Sequence, residues 1–341
     1  MTAAAAPLRV AVVGTGRIGA MHAELLAHDV PGAALAAVHD PDRATAARVG
    51  AQLGVDAVAD VDVLLARGDV DAVAICSSTD THADLMVAAA EAGKPMFVEK
   101  PVSLDLAELD RALAAVERAG VPLQVGFNRR FDPAHQAVHE AVASGAIGPP
   151  HIVRISSRDP HPPPLEYARR SGGIFLDMTI HDFDMARYVT GSEVVEVFAR
   201  GAVRIQPELD AFGDLDTAVV TLVHENGCLT VIDNSRQAVY GYDQRVEAFG
   251  AAGVAASENP PEHTAVVRDA NGTRGPLLPH FFLERYLASY VRAWRAFVDA
   301  LRRGAAPPVG GHDGRAPLVI GLAAWRSLRE GRPVRVAEVD G

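Results

Sequence analysis

The segment Gly172-Gly173-Ile174-Phe175-Leu176-Asp177-Met178-Thr179-Ile180-His181-Asp182-Phe183-Asp184 holds the residues best suited to moving a proton. Asp177, His181 and Asp184 fall at i, i+4 and i+7, which on a helix would line them along one face. A carboxylate beside an imidazole can exchange a proton near neutral pH. The same spacing also suits an ordinary solvated ion pair, so the surrounding elements have to decide between the two.

The elements that could present a substrate to this segment begin with a glycine loop. Val12-Val13-Gly14-Thr15-Gly16-Arg17-Ile18-Gly19 reads as G-x-G-x-x-G between an apolar strand and a helix. The first glycine permits the turn, the second lets backbone amides approach a pyrophosphate, and the third allows close helix–strand packing. Thr15, Arg17 and Ile18 complete the loop's contacts. Asp40 closes the next strand, where a carboxylate accepts from a ribose 2′-hydroxyl and repels a 2′-phosphate. That favours NAD over NADP, with Arg43 read as a helix-surface residue. Ser77 and Ser78 follow the run 71–76, at the carboxyl edge where small hydroxyls reach phosphate and nicotinamide ribose. His82 opens the following helix and serves either as a contact or as a capping and packing group.

A chain of 341 residues, 49% hydrophobic and 22% charged, has the core for two domains. Strand-like runs at 8–13, 34–39, 71–76, 95–98 and 123–126 alternate with helical ones at 18–28, 43–53, 82–92 and 106–119. This predicts an α/β fold with a doubly wound parallel Rossmann sheet over residues 1–126. Asp105 and Glu108 form a capping pair for the last of those helices. Beyond it the pattern changes to a helix at 132–143 and strands at 151–157, 194–203, 217–224, 228–234 and 245–250. Asn226-Gly227 marks a hairpin between the third and fourth of these strands. Helices at 282–303 and 315–329 close the chain. Residues 127–341 therefore read as an α+β domain with a large, mostly antiparallel sheet.

A formal charge of −11 argues against nucleic acid or an anionic membrane as partner. Two distant cysteines, Cys76 and Cys228, make no disulfide framework, which points to a reducing cytoplasm. The N-terminus shows no leader, and the apolar run 8–13 is too short to cross a membrane. Asn271-Gly272-Thr273 reads as a turn. His135 and His139 stand at i, i+4, half of a metal site without a third ligand, so they are read as a solvated face and no metal is expected.

Taken together, the glycine loop, Glu99-Lys100-Pro101, Gly126-Phe127-Asn128-Arg129-Arg130-Phe131-Asp132 and the Asp177…His181 segment resemble the glucose–fructose oxidoreductase/inositol dehydrogenase/rhizopine-catabolism (Gfo/Idh/MocA) family over essentially the whole chain. Within it, Asp-Met-Thr-Ile-His-Asp-Phe-Asp-Met is most similar to the inositol 2-dehydrogenases. The resemblance implies NAD as cofactor, with Glu99 and Lys100 beside the nicotinamide. It implies Lys100, Asp177 and His181 as the reacting set, and a homodimer or homotetramer built on the C-terminal sheet. The implied reaction is oxidation of a ring hydroxyl of myo-inositol or a related cyclitol. In that chemistry His181 would act as general base, Asp177 would orient the imidazole or hold a hydroxyl, and Lys100 would stabilise alkoxide charge. A polyol needs further polar contacts, and Arg129, Asp159, Asp184 and Tyr240 are the candidates. Arg129 has an alternative partner in Asp132, and Tyr240 an alternative in strand packing. An aldose, inosamine or keto-sugar dehydrogenase keeps the same chemistry. A non-catalytic NAD-binding sensor is the reading from another class, disfavoured because all three reacting residues are present.

Overall fold

Leu8–Val13 (β1) leads through the glycine loop into Arg17–His28 (α1), and then Ala33–His39 (β2) and Arg43–Leu53 (α2) repeat the unit. The computed structural model describes residues 6–340; the chain start at 1–5, read above as carrying no leader, lies outside them. Asp56–Ala57 (β3), Val61–Leu65 (α3), Ala72–Ile75 (β4), Thr79–Glu91 (α4), Met96–Val98 (β5), Leu106–Ala119 (α5) and Leu123–Val125 (β6) complete a six-stranded sheet of order β3-β2-β1-β4-β5-β6. Every pairing in it is parallel. The order reverses between β1 and β4, the switch point at whose carboxyl ends such sheets take ligands. The helices start where the chemistry of their caps dictates. Asp42, Asp60 and Asp105 each accept a backbone N–H at the first turn of α2, α3 and α5.

Pro133–Ala143 (α6), Pro150–Arg158 (β7), Leu165–Ala168 (α7), Gly173–Asp177 (α8), Ile180–Thr190 (α9) and Val194–Ala202 (β8) open the second unit. Thr217–His224 (β9), Leu229–Ser235 (β10), Asp243–Gly250 (β11) and Gly253–Ser257 (β12) follow, then the hairpin Val267–Asp269 (β13) and Gly272–Arg274 (β14), whose turn holds Asn271. Phe282–Arg303 (α10), Gly311–Glu330 (α11) and Val334–Arg335 (β15) end the chain. The large sheet has the order β12-β11-β7-β10-β9-β8-β15. It is antiparallel except where β7 runs parallel to β10. Period-two alternation turns Val153, Ile155, Val220, Leu222, Ile232 and Val246 to one face, where Phe175, Phe183, Val189 and Ala323 cover them.

The chain divides into Met1–Asn128 with Tyr290–Ala316, and Arg129–Ser289 with Pro317–Gly341. The expectation that 127–341 forms one domain is corrected accordingly: residues 290–316 pack with the first unit. Trp294 and Phe297 are buried there against Phe97, and the Val125 N–H donates to the Val309 carbonyl. No described helix is long and apolar enough to cross a membrane.

Candidate active site

In the first unit the glycine loop is built by steric necessity. Gly14 has φ +90°, and a Cβ on it would lie 2.5 Å from the Ser77 backbone; a Cβ on Gly19 would lie 1.7 Å from the Gly14 carbonyl oxygen. A Cβ on Gly16 would meet nothing within 4 Å, so the open space lies at the N-terminus of α1. Gly16 caps that helix without a side-chain bond, and no acidic residue occupies the first turn. An anionic pyrophosphate suits such an open helix end. Asp40 is engaged by the loop itself. Its Oδ2 accepts the Thr15 N–H at 2.7 Å and the Thr15 hydroxyl at 3.1 Å, while its Oδ1 accepts the Asp42 N–H at 2.9 Å. The carboxylate thus ties the glycine loop to the end of β2 and keeps lone pairs for a further donor.

Ser77 shares a 2.7 Å hydrogen bond with the Thr81 hydroxyl, and Ser78 is exposed at the N-cap of α4. His82 lies within α4 rather than at its start, because the helix begins at Thr79. Its Nδ1 faces the Pro101 carbonyl at 2.9 Å and its Nε2 the Ser77 carbonyl at 3.0 Å. The buried ring therefore bridges the serine loop and the residue after Lys100, and burial is the main cause lowering its pKa. Glu99 is buried and Lys100 half-buried. Burial first, and then the Glu99 charge, pushes the Cys76 thiol well above its usual range, which disfavours the thiolate.

In the second unit the Asp177…His181 segment is not one helix. Asp177 closes α8, and His181 sits in the first turn of α9. At the break the Thr179 N–H donates to the Ile174 carbonyl at 2.9 Å, and the single proton of the Thr179 hydroxyl is directed at Asn234 Oδ1, 2.6 Å away. The expected single face of Asp177, His181 and Asp184 is corrected by that break. Asp177 and His181 are half-buried, whereas Asp184 is buried and takes a two-pronged bond from Arg130, the shortest arm being 2.6 Å. Asp177 receives the Tyr167 hydroxyl on Oδ1 at 2.8 Å and an Arg236 N–H on Oδ2 at 3.4 Å. Arg236 is buried, with Asp214 as its second carboxylate at 3.7 Å.

The architecture under this segment is a buried polar row. Ser157 on β7, Asn234 on β10 and Gln244 on β11 lie at inward positions, side by side in register. Asp182 meets them from α9. It accepts Arg129 at 2.7 Å, the Ser157 hydroxyl at 2.5 Å and Asn234 at 2.8 Å. Burial raises the Asp182 pKa against the pull of Arg129, Ser157 and Asn234.

The chemistry of both halves matches what sequence comparison finds. Residues 8–127 match the model of the oxidoreductase family with an NAD-binding Rossmann fold, and residues 135–256 match the GFO/IDH/MocA C-terminal domain. The chain belongs to the GFO/IDH/MocA oxidoreductase family. It is 50% identical over 335 residues to the Myo-inositol 2-dehydrogenase of Thermotoga maritima, covering 98% of this chain and all of that one. It is 43% identical over 330 residues to the Inositol 2-dehydrogenase of Rhizobium meliloti, covering 97% and 99%. The crystal structure of a probable dehydrogenase from Thermotoga maritima superposes with a TM-score of 0.95 at 50% identity, over 97% of this chain and all of that one. NAD is the cofactor of the fold, and the glycine loop and Asp40 described above fit it.

Within this family member, several candidate contacts turn inward. Arg129 is buried and pairs with Asp182, while Asp132 pairs with Arg285. The alternative Arg129–Asp132 pair therefore does not form. Arg129 and Asp184 are each buried and held in an ion pair, with Asp182 and Arg130 respectively. Asp159 is half-buried, and its N–H donates to the Ser235 carbonyl. Tyr240 is exposed on a turn rather than packed in a strand, donating to Asp243 at 2.7 Å and accepting from Arg158 at 3.0 Å. His135 is no solvated residue: it is buried between Ser257 and Tyr286, and burial pushes it down to about 3. His139 stacks on Tyr188, and no cluster among the described residues could hold a metal. Tyr167, Asn234 and Arg236 escaped the sequence reading. Asn234 had a signal, a polar residue at an inward position of an alternating strand; Tyr167 and Arg236 had none.

Proposed function

We propose that this chain oxidises the 2-hydroxyl of myo-inositol to the ketone scyllo-inosose, with Lys100, Asp177 and His181 as its reacting residues. The observation that carries the reading is the match over nearly the whole chain to inositol 2-dehydrogenases. That Asp177 and His181 are only half-buried, beside buried neighbours, supports the roles. NAD, when bound, supplies the hydride acceptor. His181 takes the hydroxyl proton, an imidazole being matched to that task near neutral pH. Asp177, with one oxygen on Tyr167 and the other on Arg236, holds a neighbouring hydroxyl or the imidazole in a fixed orientation. The Lys100 ammonium stabilises the charge that develops on the substrate oxygen. Asp159 and Tyr240 are the polyol contacts that the local packing leaves nearest to solvent.

The outer face of the large sheet carries Val219, Leu229, Val231, Phe249 and Val254, all exposed. An apolar face of this kind suits a second copy of the chain, giving a homodimer or, with a further face, a homotetramer. The two free, buried cysteines suit a cytoplasmic setting, and the net charge of −11 opposes nucleic acid or anionic membrane as partner. The test is NADH formation with myo-, scyllo- and D-chiro-inositol, glucose and xylose, each with NAD and NADP. Turnover of myo-inositol with NAD is expected. Activity on glucose and on no inositol would overturn the substrate.

A further inference from the structure

Glu99, immediately before Lys100, is a buried carboxylate whose two oxygens are separately held. Oε1 lies 2.8 Å from Nε2 of His22, and Oε2 lies 3.3 Å from the backbone N–H of Lys100 itself. The carboxylate rests on Gly126, where a Cβ would come within 3.0 Å of it. His22 sits on α1, is fully buried, and has a second partner far along the chain. The indole N–H of Trp294, on α10, points at His22 Nδ1 over 2.8 Å. Trp294 is buried as well and stacks on Phe97 at 4.4 Å between centroids.

The proton inventory of these groups leaves one arrangement. An indole N–H only donates, so His22 Nδ1 must offer its lone pair. The single proton of a neutral imidazole then resides on Nε2, which donates to Glu99. Glu99 is left as an acceptor on both oxygens, towards His22 and towards the Lys100 N–H. We propose that Trp294 and His22 are positioning residues for Lys100, acting through Glu99. Trp294 sets the tautomer of His22, that tautomer supplies Glu99 with a donor, and the anchored carboxylate fixes the backbone from which the lysine extends. The inference rests on the role given to Lys100 above. Without the indole N–H, the His22 proton can move to Nδ1. The Nε2 lone pair then faces the carboxylate, and Glu99 turns from its hold on Lys100.

Trp294→Phe removes the N–H and keeps a ring against Phe97. The expected result is a fall of roughly tenfold in kcat for the inositol, the scale of one lost buried hydrogen bond, with KM for NAD changed less than about twofold. In a Lys100→Ala background the same substitution should cost less than about twofold, because its effect passes through the lysine. Ring-nitrogen NMR of the full chain labelled with ¹⁵N-histidine should read wild-type His22 as protonated on Nε2 and bare on Nδ1, a pattern lost in Trp294→Phe. A wild-type His22 protonated on Nδ1 overturns the proposal whatever the activity. So does an unchanged kcat in Trp294→Phe, or an equal loss in both backgrounds. A wild-type chain that turns over no inositol sinks the substrate reading instead, and the NMR pattern still decides the tautomer.

Discussion

Replacing Arg129 by Met strikes the polar row beneath His181. The guanidinium donates to Asp182 at 2.7 Å and to Ser157 at 2.9 Å, and the side chains of Arg129 and Asp182 are 6% and 0% exposed. Met keeps the apolar stem and removes the charge. Asp182 is then left with Ser157 and Asn234 as donors. Removing one member of a buried pair costs about 3–5 kcal/mol, because the other charge stays buried without its counterion. On a unit of this size that lowers the melting temperature by on the order of 10 °C. The pH dependence has a definite sign. Burial already holds Asp182 above its ordinary value in the folded chain, and loss of Arg129 raises it further. An unfolded Asp titrates near ~3.9. Between that pH and the folded value the folded chain binds more protons, so stability falls as pH rises through this window. The variant's deficit is therefore largest near neutrality and shrinks as the pH approaches ~4. Urea unfolding of the wild-type chain and of Arg129→Met at pH ~7.5 and ~5 measures both effects. A deficit below about 1 kcal/mol at the higher pH, or one equal at both, would refute the reasoning.

Asp40→Ser should raise KM for NAD and cut the NAD-over-NADP ratio of kcat/KM by about tenfold or more, because it removes both the 2′-phosphate repulsion and the acceptor of the Thr15 N–H. Gly19→Ala places a methyl 1.7 Å from the Gly14 oxygen, so calorimetry should show NAD affinity falling on the order of tenfold or more while circular dichroism retains the helix content. His181→Ala should lower kcat by about 10²–10⁴ at saturating substrate, and steady-state kinetics showing no loss would remove His181 as base. Val231→Asp, on the exposed face of β10, should shift sedimentation towards monomer without lowering the melting temperature of the isolated chain.

The first unit was legible almost element by element, and the reason is local. A parallel sheet buries its strands on both faces, so each reads as a short apolar run between helices, and the glycine loop is contiguous in sequence. The Asp177…His181 segment was legible as residue types and spacing, but its shape was not. Nothing near Thr179 announces that one helix becomes two there, or that its hydroxyl bonds to Asn234, 55 residues away. The buried ion pairs show the same limit. Arg129 beside Asp132 suggests a local pair, yet Arg129 meets Asp182 and Asp132 meets Arg285, because partners for buried charges come from whichever elements the core brings together. Sequence by itself determined the glycine loop and the family, and it put forward Lys100, Asp177 and His181 as the reacting residues proposed above, since these follow from neighbours along the chain. Only the tertiary structure decided which carboxylates face solvent and which are buried in ion pairs. It alone brought Trp294 to His22 and Arg236 to Asp177, contacts 272 and 59 residues apart that no periodicity encodes.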